Sequence, residues 1–82
     1  MSIGELRAAL DAVAGLAAEA RGHAAAAAEQ LGEAVGALTE LAERSGETLP
    51  VVELGKAREE VDVLVTTLNA AAELVADLGA RL

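Results

Sequence analysis

Apolar residues return every seven positions along nearly the whole chain. With Ile3 taken as position a of a heptad lettered a to g, the a set of the first run is Ile3, Leu10, Ala17, Ala24, Leu31 and Leu38. The d set is Leu6, Val13, Ala20, Ala27, Ala34 and Leu41. None of these positions is polar. A sustained seven-residue repeat of this kind is the signature of long helices packed side by side. The run is alanine-rich at its centre, Ala24 to Ala28, where helix propensity is highest.

The start and stop signals agree with the period. Ser2 followed by Glu5 is a capping-box pattern. Gly46 suits the left-handed residue that ends a helix, and Arg44 places a cation in the last turn, four residues after Glu40. The spacing therefore predicts a helix over 2–44, a connector over 45–50 and a second helix over 51–81. Pro50 fits the first turn of that second helix, with Thr48 or Leu49 as its cap. The second helix repeats the pattern, with a positions Leu54, Val61, Leu68, Val75 and Leu82 and d positions Ala57, Leu64, Ala71 and Leu78.

A connector this short makes the two helices antiparallel neighbours. The fold class expected is all-α: an antiparallel, coiled-coil-like two-helix hairpin that dimerises into a four-helix bundle, forming one domain over 1–82. The a/d stripes face each other, and pairing Leu41 with Leu54 fixes the register. Leu38 then meets Ala57, Leu31 meets Leu64, Ala24 meets Ala71 and Ala17 meets Leu78. Leu82 lies near Val13, so Ile3, Leu6 and Leu10 project past the hairpin uncovered. An exposed apolar end marks a contact.

The second helix also carries apolar residues beyond its a/d stripe, among them Val63, Val65, Ala72 and Leu74. That width suits a helix sandwiched in a bundle. The expected interface is therefore Ile3, Leu6, Leu10, Val13, Val63, Val65 and Leu74. In the alternative, the first helix breaks at Gly22 and folds back over this face as a three-helix monomer. The small residues Gly15, Ala18, Gly22, Ala25, Gly32 and Gly36 form a groove on the outer side of the first helix. It reads either as a close-packing seat for another helix or as a tolerance for glycine in an Ala- and Gly-rich chain.

Composition narrows the function. Apolar residues make up 54% of the chain but aromatics 0%, so each buried side chain contributes little area and self-association is the expected route to stability. The formal net charge of −8 and pI near 4.4 disfavour nucleic acid and anionic membranes, and favour a basic partner or simple solubility, while the uncovered stripe leads to the expectation of a homodimer or a helical protein partner. No Cys is present, which excludes disulfides. No Sec-type signal is read at the N-terminus, and no apolar stretch is expected to span a membrane. The expected location is cytoplasmic, or secreted by a route that needs no signal peptide.

Candidate chemistry is sparse. His23 stands alone, without the Cys or carboxylate neighbours of a metal set, and is read as a solvated surface residue. Glu59, Glu60 and Asp62 do not have the alternating oxygens and glycine turn of a calcium loop, and are read as a solvated face. Thr66 and Thr67 are read as polar-face residues. No catalytic residue, metal site or cofactor is expected.

A long Ala-rich helix, the Ser45-Gly46 turn and a second helix together resemble the WXG-type small helical hairpins of type VII (ESX) secretion in actinobacteria. The layout is also similar to helical modules at the N-terminus of some polymorphic toxins. Gly46 matches the glycine of the family's Trp-x-Gly turn, whereas the Trp and the Tyr-x-x-x-Asp/Glu export signal are absent. The resemblance implies a non-enzymatic hairpin that pairs with itself or a relative, as a secretion substrate or partner. The alternative is an acidic adaptor that neutralises a basic partner inside the cell.

Overall fold

Two helices, α1 (Ile3–Ser45) and α2 (Val51–Arg81), take up nearly all of residues 1–82 in a computed structural model. They run antiparallel as a hairpin with principal extents of 64 × 15 × 13 Å, the long dimension being that of α1 itself. The fold is the expected all-α hairpin.

The ends of the helices form as the sequence directs, with one exception. Ser2 is extended (φ −78°, ψ 163°), and its Oγ accepts the Glu5 N–H at 3.1 Å, so the serine half of the capping box is made. At the other end Gly46 is left-handed (φ 72°) and its N–H donates to the Ala42 carbonyl at 3.0 Å. Ser45 Oγ then accepts the Glu47 N–H at 3.1 Å, which tightens the turn. The exception is the cap of α2. Pro50 itself occupies that position, not Thr48 or Leu49. Its φ of −77° and ψ of 56° are those of an inverse γ-turn, closed by Val51 N–H donating to the Leu49 carbonyl at 2.8 Å. The cap has no side-chain hydrogen bond.

α1 passes unbroken through Gly22, which removes the three-helix alternative. One glycine costs about 1 kcal/mol relative to alanine. That is small for a single residue in a 43-residue helix whose next turn is the pentad Ala24–Ala28.

The helices meet along a seam rotated from the expected one. On α1 the half-buried or buried residues of the seam are Leu10, Ala14, Ala17, Arg21, Ala24, Ala28, Leu31, Val35, Leu38 and Ala42, flanked by half-buried Ala25, Gly32 and Thr39 and by Ala27 and Ala34 of the d set. The seam residues alternate a with e, the position next to a on the opposite side from d. α2 does the same through Val51, Leu54, Val61, Val65, Leu68, Ala72, Val75, Gly79 and Leu82, with Gly55 and the d residue Ala57 also half-buried near its start. The a/d seam is therefore corrected to a/e. Leu6, Val13 and Leu41 of the d set, and Leu64, Ala71 and Leu78 of its counterpart, are exposed.

The register changes with the seam. A β-carbon on Gly79 would stand 3.8 Å from Leu10 Cβ and 3.8 Å from Asp11 Oδ1, so Leu10 faces Gly79. Stepping a heptad at a time along both helices puts Ala17 at the level of Ala72, Ala24 at Val65 and Leu31 at Arg58. Arg58 does lie there, with its guanidinium over Gly32. Relative to the expected pairing, α2 is displaced by six residues, roughly 9 Å, toward the start of α1. In this register the a/e seam sets large against small at four levels, Leu10 on Gly79, Ala14 on Val75, Ala24 on Val65 and Ala28 on Val61, whereas Ala17 and Ala72 are both small and Val35 with Leu54 and Leu38 with Val51 are both large. Leu10 is consequently half-buried, not projecting as expected, and Ala71 no longer faces Ala24.

The resulting core is thin. Ala24 and Ala28 are the only buried apolar side chains. A fully buried alanine removes only a methyl from water, of the order of 1 kcal/mol.

Candidate interaction face

Rotation of the seam leaves most of an apolar stripe uncovered on each helix, including all of its large residues, while Ala27, Ala34 and Ala57 are half-buried. Because the helices run in opposite directions with their a/e ridges facing, both d stripes emerge on the same side of the hairpin. Going from the open end toward the turn, that face carries Leu6, then Val13 beside Leu78, Ala20 beside Ala71, Ala27 beside Leu64, Ala34 beside Ala57, and Leu41. The large residues among them are 36% (Leu6) to 53% (Leu41) exposed. Leu16 and Leu74, both exposed, stand at position g on the same side and widen the face. No d position in either helix is charged.

Position e, which is turned inward, holds three arginines. Arg7, Arg21 and Arg58 interrupt its otherwise apolar series. Arg21 is half-buried, and Arg58 crosses to α1, where its Nη1 lies 2.9 Å from the point a Gly32 β-carbon would occupy. Long arginine stems lie along apolar surface while their heads reach water at the edge. The hairpin alone thus covers more of the stripe that contains charges, although Arg7 and Arg58 are themselves exposed, than of the one that has none.

The expected interface residues fall in three places. Leu6 and Val13 lie on the d face, with Leu74 on its flank. Val65 is half-buried in the seam, as is Leu10. Val63 is exposed at c on the back of α2, facing away from the seam, and Ile3 is exposed in the first turn of α1 beyond the end of α2. Leu41, Leu64 and Leu78 belong to the face but were assigned to the seam by sequence reasoning. The arginines at e were the available signal: three charges at e and none at d mark d as the stripe suited to deeper burial.

The small-residue groove is only partly on the outer side. Gly15, Gly22 and Gly36 have open space where a β-carbon would stand, and Ala18 is exposed. Ala25 and Gly32 are half-buried toward α2, and Arg58 covers Gly32, so the groove is not continuous.

Polar groups form no convergent site. The hydroxyls of Thr39, Thr66 and Thr67 donate to the carbonyls of Val35, Asp62 and Val63 four residues back, at 2.8, 3.3 and 3.0 Å. Glu40 and Arg44 make one exposed ion pair at 3.8 Å. His23 is exposed. No three of the His, Asp and Glu side chains cluster as metal ligands would, and the surface has no pocket. By length and composition alone α2 is long and apolar enough to cross a membrane, contrary to the expectation that no stretch reaches that length.

Compared with protein-family models, curated proteins and solved structures, the chain matches none.

Proposed function

We infer that this chain is a non-enzymatic helical protein–protein interaction module that works through its d face. One observation carries the reading. Ten d positions on two helices, all apolar and all uncharged, lie on one side of a hairpin that leaves their large members in water. A contiguous apolar face of this extent on a hairpin with almost no buried core calls for a covering surface. A helical surface fits best, because the heptad repeat presents knobs and holes at helix spacing. Insertion of α2 across a bilayer is disfavoured by Glu73 and Asp77, since an acid near the centre of a span costs about 2.5–3.5 kcal/mol.

The test pairs binding with folding. Val13→Glu combined with Leu78→Glu should abolish recovery of partners from the native host while leaving helicity by circular dichroism intact. Unchanged recovery would overturn the assignment of this face.

The layout shared with the type VII hairpins supports a secretion-linked setting, as export substrate or partner made in the cytoplasm. Blotting of culture fractions tests it, and protein confined to cells with a working secretion system would count against it. The formal net charge of −8 supports a second reading, an acidic adaptor for a basic protein. Binding to polylysine that weakens as salt rises would favour that reading.

A further inference from the structure

We propose that the hairpin is a two-position roller. In one position, the a/e seam, it displays the d face. In the other it turns both d stripes inward onto the a stripes and hides that face from partners. This rests on the reading of the d face as an interaction surface and adds its regulation.

The two positions are neighbours. On a helix of 3.6 residues per turn, e lies about 40° to one side of a and d about 60° to the other. Passing from an a/e to an a/d seam therefore takes a roll of about 50° by each helix. A slide of α2 by one residue toward the start of α1, about 1.5 Å, then brings d opposite a. Ala20 faces Leu68, Ala24 faces Leu64, Ala27 faces Val61, Leu31 faces Ala57 and Ala34 faces Leu54. Large meets small at each of these consecutive levels, and no charge enters. Unlike the register that pairs Leu41 with Leu54, this one leaves the connector in place.

Nothing polar fixes the rotation. The side-chain hydrogen bonds lie within a helix or the turn, the one ion pair lies within α1, and no backbone hydrogen bond joins α1 to α2. Pro50 caps α2 without a side-chain bond. The buried apolar side chains, Ala24 and Ala28, are short, so the ridges that must pass one another are low.

The two positions also carry opposing costs. The a/e seam gains close approach through Ala14, Ala28 and Gly79, but it holds Arg21 half-buried without an ion pair and leaves Leu64 and Leu78 exposed. Rolling releases Arg7, Arg21 and Arg58 toward water and covers those leucines. It gives up the fit of Leu10 on Gly79 and sets Leu10 against Leu78 and Val13 against Val75. A helical partner on the d stripes binds only the a/e position and draws the population to it. Without one, the rolled position keeps the apolar face out of water.

The chain has no Cys, so introduced pairs report the seam. Leu10→Cys with Gly79→Cys captures the a/e position, because a β-carbon on Gly79 would stand 3.8 Å from Leu10 Cβ, within disulfide reach. Ala20→Cys with Leu68→Cys captures the rolled position. Glu19→Cys with Asn69→Cys closes a loop of nearly the same length on outward faces and joins only through unfolding. In a glutathione buffer at low protein concentration, the 20/68 pair should show an effective concentration at least about tenfold above the 19/69 control, as expected for a minor state populated at roughly 0.1–10%. Ala27→Cys with Val61→Cys repeats the measurement at a second level. Arg21→Leu, which removes the half-buried charge from the a/e seam, should lower the 20/68 value; an unchanged value would mean that the pair is near without rolling. Both oxidised forms should remain helical by circular dichroism. The neutral dye Nile red should bind the 10/79 form several-fold more than the 20/68 form, and reduction should erase the difference.

Rolled-position pairs that form no more readily than the control at both levels would overturn the roll. The d face would keep its role in that case if Val13→Glu with Leu78→Glu still abolished partner recovery. Equal dye binding by the two oxidised forms would overturn the hiding of the face even if both disulfides form. If the disulfides and the dye behave as expected but the Val13→Glu, Leu78→Glu variant keeps every partner, the helices roll without regulating anything, and the d-face reading fails by itself.

Discussion

The guanidinium of Arg58 lies over Gly32, with Nη1 2.9 Å and Cζ 3.0 Å from where a β-carbon would be. α2 therefore reaches across the seam onto a place on α1 kept clear by the absence of a side chain. The group in the way is the far end of a flexible, exposed side chain and can move by a few tenths of an ångström. Gly32→Ala should gain part of the roughly 1 kcal/mol helix-propensity benefit of replacing glycine. Gly15→Ala and Gly36→Ala, which have open space around them, should gain all of it. At about 4–8 °C per kcal/mol for a domain of this size, thermal melts at one fixed protein concentration should rank Gly15 and Gly36 above Gly32.

The turn should respond with the opposite sign. Gly46 is the chain's single residue with positive φ, at 72°. Alanine there would place its β-carbon in the disfavoured left-handed region and weaken the Gly46 N–H bond to Ala42. Gly46→Ala should lower stability by about 1 kcal/mol, even though it has open space and the same exchange stabilises at Gly15 and Gly36 within α1. A rise in melting temperature would mean that the turn is not held as described.

The seam should be intolerant of bulk only where a and e meet. Ala28 is buried against the level of Val61, whereas Ala18 is exposed. Ala28→Leu should force the helices apart at a cost of about 1–3 kcal/mol, and Ala18→Leu should be near neutral. Chemical denaturation of the two variants separates these outcomes. Equal effects would return the seam to the a/d pairing, in which position e packs against nothing.

The heptad made the hairpin legible but not the rotation of the seam. Ile3, Leu10 and the rest of the a set lie next to two stripes, d on one side and e on the other, and both are largely apolar. Counting apolar positions favours d, which has no exceptions. Packing of one hairpin favours e, because Ala14, Ala24, Ala28 and Gly79 let the backbones approach while Val61, Val65 and Val75 fill the gaps. The register was hidden for a related reason. Pairing Leu41 with Leu54 assumes a connector that simply reverses direction, but the γ-turn at Pro50 starts α2 farther down α1. The candidate face was visible piecemeal, in Leu6, Val13 and Leu74, and its unity depends on two helices turning the same stripe to the same side. That is a property of the assembled hairpin.

Ionic strength gives the last prediction, because the two partner readings respond to it with opposite signs. Two copies would each bring a formal charge of −8 together, while the d positions that would form their contact are uncharged. Repulsion acts over about 30 Å at 0.01 M salt and about 3 Å at 1 M, whereas burial of the apolar face does not weaken on adding sodium chloride. The dimer fraction at constant protein concentration should therefore rise with salt, most steeply at the low end, where the screening length falls below the separation of the acidic outer faces. Attraction to a basic partner should fall over the same range as its charges are screened. Sedimentation equilibrium across a salt series measures the first effect directly. A self-association that weakens with added salt would mean that charge, not the d stripe, holds the copies together.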